Sequence, residues 1–283
     1  MRYGMVIGLL AAFVVGAGAQ AKEWTRLRIA TEGAFPPYNM HAPDGKLIGF
    51  EIDLAADLCR RMKVECEVVA QDWDGILPGL NAGKYDAIMA AMSITPKRME
   101  VIAFSIPYVS SPTVFATTKG TPLAGLPGGG VRVDLSDAPA AKAATDALRV
   151  KLQGKTVGVQ VSTIQADFLN TYFKGAVEVR TYKTSDEFFL DLAAGRVDAV
   201  LAAAANIQAT MDSADGKDIA FTGPLFGGGP IGIGSGIGLR KSDPELKEMW
   251  DGAIKAAAAD GTLGRLTLQW FKIDLTPPGL KPQ

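Results

Sequence analysis

An arginine in the first turn of a helix is electrostatically out of place, and one occurs in Ala90-Ala91-Met92-Ser93-Ile94-Thr95-Pro96-Lys97-Arg98. Thr95 is a good N-cap, Pro96 fits the first helical position, and Arg98 then falls in the first turn. A cation there opposes the helix dipole and asks for an anionic partner. Its guanidinium can fork onto a carboxylate while the Ser93 hydroxyl and nearby backbone N–H groups complete a cradle. The competing reading is a surface arginine paired with Asp or Glu. Glu32 follows an apolar strand in the turn-rich Thr31-Glu32-Gly33-Ala34-Phe35-Pro36-Pro37-Tyr38, where an acid could meet a ligand cation or simply be solvated. Trp73, in Gln71-Asp72-Trp73-Asp74, ends another strand; its face could pack on a ligand stem or a guanidinium, or fill its own lobe.

Signatures of catalysis are scarce. The single histidine, His41, lies in the turn-like His41-Ala42-Pro43-Asp44-Gly45-Lys46, which suits a solvated role better than general-base work. Gly227-Gly228-Gly229 is not followed by the Lys-Ser/Thr of a phosphate loop, and Gly232-Ile233-Gly234-Ser235-Gly236 lacks a βαβ context. One loop histidine does not assemble a nucleophile triad. The expectation is a binding protein with no catalytic residue, cofactor or metal.

The elements that must position these residues are marked by an internal repeat. Leu80-Asn81-Ala82-Gly83-Lys84-Tyr85-Asp86-Ala87-Ile88-Met89-Ala90 is echoed 112 positions later by Leu192-Ala193-Ala194-Gly195-Arg196-Val197-Asp198-Ala199-Val200-Leu201-Ala202. Each copy reads as a helix end, a glycine leaving it with positive φ, a basic and acidic surface turn, and a buried strand. Upstream of the first, the periodicity predicts a strand over 27–30, a helix over 51–62, a strand over 64–70 and a short helix capped by Asp74. Upstream of the second it predicts a strand over 156–160, a helix over 165–172, a strand over 177–182 and a helix over 185–194. The fold class is therefore α/β, with two similar lobes of mainly parallel sheet. Gly120 to Gly130 reads as a surface loop and 138–150 as a helix decorating the second lobe. The glycine-rich 223–238 reads as a second crossing between lobes, followed by helices over 245–260 and 263–271 that return to the first. This places lobe I at 22–112 plus 233–283 and lobe II at 113–232, joined by a two-strand hinge. Open α/β sheets bind ligands beyond the carboxyl ends of their strands, so the cleft between lobes is the expected site.

Compartment and charge fit that plan. Arg2, the apolar run 4–16 and Ala19-Gln20-Ala21 read as a signal peptide at 1–21, cleaved after Ala21, and the run is too short to span a bilayer. The periplasm is the expected destination. Its removal takes away one charge, leaving 28 basic against 30 acidic residues, with no general pull towards nucleic acid or anionic lipid. The only cysteines, Cys59 and Cys66, straddle a predicted helix-to-strand junction without Cys-x-x-Cys spacing. In an oxidising compartment that favours a structural clamp over a metal pair or redox motif, free buried thiols being the bland alternative.

With these residues in hand, the chain resembles the polar amino acid-binding family of ABC transport systems. Arg28 to Tyr38, Gly49-Phe50-Glu51-Ile52-Asp53-Leu54, Cys59 to Cys66, Asp72-Trp73-Asp74-Gly75-Ile76-Leu77-Pro78 and Ser93-Ile94-Thr95-Pro96-Lys97-Arg98 carry the resemblance, which runs on to Asp260-Gly261-Thr262 and Trp270-Phe271. Binders of lysine, arginine and ornithine, of histidine, and of opines are nearest. The segment 121–153 and Ile29-Ala30-Thr31-Glu32-Gly33-Ala34-Phe35 look most like the nopaline and octopine binders. The resemblance implies a type II-like periplasmic binding fold, a monomer, and a membrane permease as partner. It implies that Arg98 and Ser93 hold the ligand's α-carboxylate, helped by the backbone N–H of Ile164 beside Thr163, at a second-lobe helix start. Phe35 and Trp73 would sandwich the ligand's side chain, with Tyr38 in the same loop. Glu32 stands where the basic amino acid binders use an aspartate against the distal cation; Ala90 and Ala91 replace serines, and Val161 stands where glycine is usual. Ala203 falls where the family has an aspartate for the free α-ammonium. That departure favours an opine over a simple α-amino acid, because an opine's α-nitrogen is a secondary amine with a second carboxylate arm. Asn206 could substitute for the missing acid, which keeps free basic amino acids as the alternative. A dehydratase of the same fold and a receptor-docking sensor are the rivals from other classes.

Overall fold

The computed structural model describes residues 23–281, so the expected signal peptide and its cleavage point lie outside the described residues. The first lobe is built on a sheet ordered Glu65–Ala70, Arg26–Thr31, Ala87–Ile88, Gly238–Leu239, Ala103–Phe104. The first three strands run parallel, as a βαβ unit requires, and Gly238–Leu239 runs antiparallel to both its neighbours. Helix Phe50–Met62 covers this sheet, burying Phe50, Leu54, Ala55, Leu58 and Cys59, a stripe at helical spacing. It ends at Lys63 in the left-handed region (φ 58°), and the disulfide Cys59–Cys66 ties its last turn to the next strand across a Cα separation of 6.2 Å. Helices Pro244–Ala259 and Thr262–Phe271 return to this lobe, placing Leu246, Trp250, Ile254 and Leu263 in one core with Phe50 and Leu54.

The second lobe repeats the plan in a sheet ordered Val177–Tyr182, Lys155–Gln160, Ala199–Ala203, Thr113–Thr118, Ile219–Gly227, Arg132–Asp134. Here Thr113–Thr118 is the strand antiparallel to both neighbours. Both sheets are thus mainly parallel, and the reversed strand in each belongs to a segment arriving from the other lobe. The repeat is structural. Gly83 and Gly195 take φ of 74° and 69°, and the aspartates that follow are anchors rather than solvated turn residues. Asp86 accepts from the Arg28 N–H at 3.1 Å and Asp198 from the Thr156 N–H at 2.8 Å, so each repeat pins the first strand of its own lobe.

Three local expectations need correction. The helix after the Glu65–Ala70 strand is Trp73–Asn81, with Asp72 rather than Asp74 at its N-cap; Asp74 lies in the first turn, where a carboxylate suits the dipole. The stretch 34–48, read as turns, forms a small antiparallel sheet of Ala34–Phe35, Asn39–His41 and Leu47–Ile48. The loop 120–130 contains a 3-10 turn, Pro122–Gly125, and buries Leu123 and Leu126 beneath the second lobe.

Candidate ligand-binding cleft

A cleft between the lobes is lined from the first by Glu32, Phe35, Tyr38, Trp73, Ala90, Ala91, Ser93 and Arg98, and from the second by Thr163, Ile164 and Ala203. Every residue that the sequence proposed for the ligand therefore meets there except Asn206. Arg98 is only 9% exposed, which sets aside the surface-arginine reading. Thr95 caps the short helix Pro96–Met99 by accepting from the Arg98 N–H at 3.3 Å, so the cap fixes the arginine's own backbone. The guanidinium donates to the Ser93 carbonyl at 3.1 Å and lies 5.3 Å over the Trp73 ring. Among the described residues it has no carboxylate within 4.0 Å, and burial pulls its pKa down to about 10. A buried cation with one carbonyl and one aromatic face is underpaid electrostatically, and an anion in the cleft would complete it.

Glu32 is equally buried, at 9% exposure, so it is not a solvated loop acid. Burial first, then the neighbouring Glu51, Asp186 and Asp72 charges, push its pKa up from an ordinary 4.5 to about 7, against a lowering hydrogen bond from Gln160. Tyr38 stacks on Phe35 with ring centroids 5.4 Å apart, forming an aromatic wall beside the acid. On the opposite lobe, helix Ile164–Tyr172 begins at the cleft; its N-cap Thr163 accepts from the Ala166 N–H at 3.2 Å and donates to the Gln160 carbonyl at 2.7 Å. The first-turn N–H groups of such a helix have no partners within it and face an anion favourably.

Asn206 is the exception. It is fully buried, donating to the Pro36 carbonyl at 2.7 Å and to the Ser185 hydroxyl at 3.4 Å, and it does not line the cleft. Its Nδ2 bridges the lobes, while its Oδ1 is buried without a hydrogen-bond partner. Residues that sequence reasoning passed over include Gln160, whose Nε2 donates to Glu32 and, at 3.0 Å, to the Lys183 carbonyl. Thr113 and Gln165 also line the cleft, bonded to one another at 3.0 Å. The missed signal is topological: Gln160 ends the first strand of lobe II just as Thr31 ends that of lobe I. The lobes meet across the cleft through Gln160 on Glu32, Trp73 Nε1 on the Ser162 carbonyl at 3.2 Å, and the rim pair Lys97–Asp167 at 2.8 Å.

This geometry, two hinged α/β lobes over a cleft with one buried acid and one buried arginine, agrees with the comparisons. A sequence profile of the bacterial extracellular solute-binding proteins, family 3, matches residues 27–273. The chain belongs to that family. Among its members, an octopine-binding periplasmic protein of Rhizobium meliloti is 48% identical over 95% of this chain and 98% of its own. An L-arginine-binding protein of Pseudomonas aeruginosa is 33% identical over 95% and 96% of the two chains. Solved structures superpose on most of the chain. An ancestral arginine-binding protein bound to arginine matches with a TM-score of 0.74 at 30% identity, over 87% of this chain and 98% of that one. A periplasmic His/Glu/Gln/Arg/opine family-binding protein from Silicibacter pomeroyi, in complex with lysine, matches at 0.70 and 33%, over 88% and 99%.

Proposed function

We propose that this solute-binding protein takes an opine: a basic amino acid whose α-nitrogen is a secondary amine carrying a second carboxylate-bearing arm. The observation that carries this reading is the charge inventory of the cleft, where Glu32 and Arg98 are the only charged lining residues among the described residues. Free arginine bears one carboxylate and two cations. With Glu32 facing the guanidinium and Arg98 the carboxylate, its α-ammonium would be buried against Ala203 without a counter-ion, at a cost of several kcal/mol. In octopine the second carboxylate sits beside the secondary ammonium and neutralises it, so one acid and one arginine suffice. Ala90, Ala91 and Ala203 leave room for the added arm, and the octopine-binding relative is consistent with it. Free arginine is the second reading, favoured by the arginine-binding relative and by the neutral oxygens of Thr113 and Gln160 near the cleft.

The ligand would be handed to the membrane permease of an ABC importer by a monomer released into the periplasm after cleavage near Ala21. The lobes would divide at 112/113 and 232/233. A thermal-shift screen of arginine, lysine, ornithine, histidine, octopine and nopaline tests the ligand, since a ligand at 100 times its Kd stabilises by about 2.7 kcal/mol. Octopine or nopaline is expected to raise Tm most. If arginine shifts the melt and no opine does, the reading from Ala203 is wrong.

A further inference from the structure

Glu51 is fully buried, lies outside the cleft lining, and has no part in the reading above. It sits in the first turn of helix Phe50–Met62, where the dipole favours its charge, and its own N–H donates to the Tyr38 carbonyl at 2.9 Å. That close approach requires Gly49, at φ 133°, since a Cβ there would come within 2.4 Å of the same Tyr38 oxygen. The carboxylate is met by three donors: Asn39 Nδ2 at 2.6 Å, the Ala91 N–H at 2.6 Å, and the Tyr108 hydroxyl. Burial pushes the Glu51 carboxyl above its ordinary range, and the hydrogen bonds from Tyr108, Ala91 and Asn39 offset only part of that rise.

Two of the donors lead back to the cleft and the third to the crossing between lobes. Asn39 uses its Oδ1 to accept from the Gly33 N–H at 2.7 Å, next to Glu32. Ala91 is held in the left-handed region (φ 48°), with its N–H on Glu51 and its carbonyl accepting from the Ser235 hydroxyl at 3.0 Å. A non-glycine residue in that conformation persists only where its surroundings over-determine it. Tyr108 adjoins Val109 and the crossing to lobe II.

We propose that Glu51 is a positioning residue for the ligand cleft, its buried carboxylate fixing together the loop that presents Glu32 and the strained Ala91 floor beside Ser93. The proposal rests on the reading of the cleft as a ligand site, and one of its tests needs no ligand. In Glu51→Gln the oxygen can still serve Ala91 and Tyr108, but the new NH2 would face the Asn39 NH2, donor against donor. Adding Asn39→Asp restores an acceptor for that NH2 and for the Gly33 N–H, and returns a carboxylate to the cluster.

Three forms are compared: wild type, E51Q and E51Q/N39D. Glu32 is titrated by its side-chain carboxyl carbon resonance without ligand, and octopine and L-arginine are titrated by calorimetry. The charged and titratable groups around Glu32 are Glu51, Asp186 and Asp72, with Gln160 donating to it. Removing the Glu51 charge is expected to move the Glu32 midpoint to lower pH. Misplacing both loops is expected to weaken whichever ligand binds by about tenfold. The double variant is expected to recover both readouts. An E51Q protein with the wild-type midpoint and affinity overturns the proposal, as does a folded double variant no better than E51Q. If E51Q does not fold, the double variant decides alone; should it also fail to fold, the cluster holds up the lobe rather than the site and the proposal falls. If no form binds either ligand, the opine reading fails while the Glu32 midpoint still judges Glu51.

Discussion

The two lobes share a repeat and end it differently. In the first, Ala87–Ile88 runs into Ala90, the left-handed Ala91, Ser93 and then Arg98, so the strand end delivers a buried cation. In the second, Ala199–Ala203 passes straight into helix Ala204–Met211, and the strand end delivers methyl groups. The ends of the first strands differ in the same sense, Thr31-Glu32 in lobe I against Gln160-Val161 in lobe II. Among the described residues, lobe I therefore holds every charged group that lines the cleft, while lobe II supplies amides, hydroxyls and a helix start. A ligand would find its ionic partners on one lobe, and the other would close over it as a neutral cover. The scaffold occurs twice, and the charged lining residues fall on one copy.

That asymmetry can be broken outright at Arg98. Arg98→Ala is expected to lose about 2 to 5 kcal/mol of binding, roughly thirtyfold or more in Kd, because it removes the charge-assisted fork. The unliganded melt should not fall, since an incompletely paired buried cation goes with it. Calorimetric titration beside a melting curve separates the two, and unchanged affinity would mean that the anion sits elsewhere.

Acid should disarm lobe I next. Glu32 is held at about 7, above its ordinary 4.5, so the empty cleft carries it protonated below that pH. A guanidinium ligand needs the ionised form and must expel the proton. Affinity is expected to be flat above pH 8 and to fall as pH drops through 7, approaching about tenfold per pH unit in the acid limb. Proton release shows as a binding heat that depends on the buffer's ionisation enthalpy. Glu32→Gln should abolish that dependence, and a pH-independent wild type would remove Glu32 from the cation's site.

The smallest effect is expected at the cover. Lys97 and Asp167 pair at 2.8 Å across the cleft rim, but their side chains are 80% and 56% exposed. Such pairs are worth about 0 to 1 kcal/mol and are screened by salt. Asp167→Asn should raise Kd no more than about fivefold in dilute buffer, through faster release, and not at all in high salt. A loss as large as that of Arg98→Ala would make lobe II an ionic partner after all.

What was legible in the sequence follows the range of the forces involved. Gly83 and Gly195, the Thr95 cap, the Cys59–Cys66 junction and the returning helices depend on neighbours a few positions away or on strong periodicity, and they stand where the residues put them. The burial of Glu32 and of Asn206 depends on the opposite lobe, with partners 128 and 170 positions away, and no local pattern carries that information. The reversed strands are hidden for a related reason. Gly238–Leu239 is two residues long, and only its place between Ala87–Ile88 and Ala103–Phe104 makes it a strand. Ala203 was readable as an absence only through the family resemblance.

The interleaving of that short strand bears on how the chain is made. The lobe II sheet is drawn from a continuous stretch, 113–227, whereas the lobe I sheet is missing an interior strand until residue 239 has been synthesised. Its core also waits for Trp250 and Leu263. A chain emerging from the ribosome, or threading through a membrane pore amino end first, presents the beginning of lobe I long before that lobe can close. The half of the molecule that carries Glu32 and Arg98 is thus the half that finishes last.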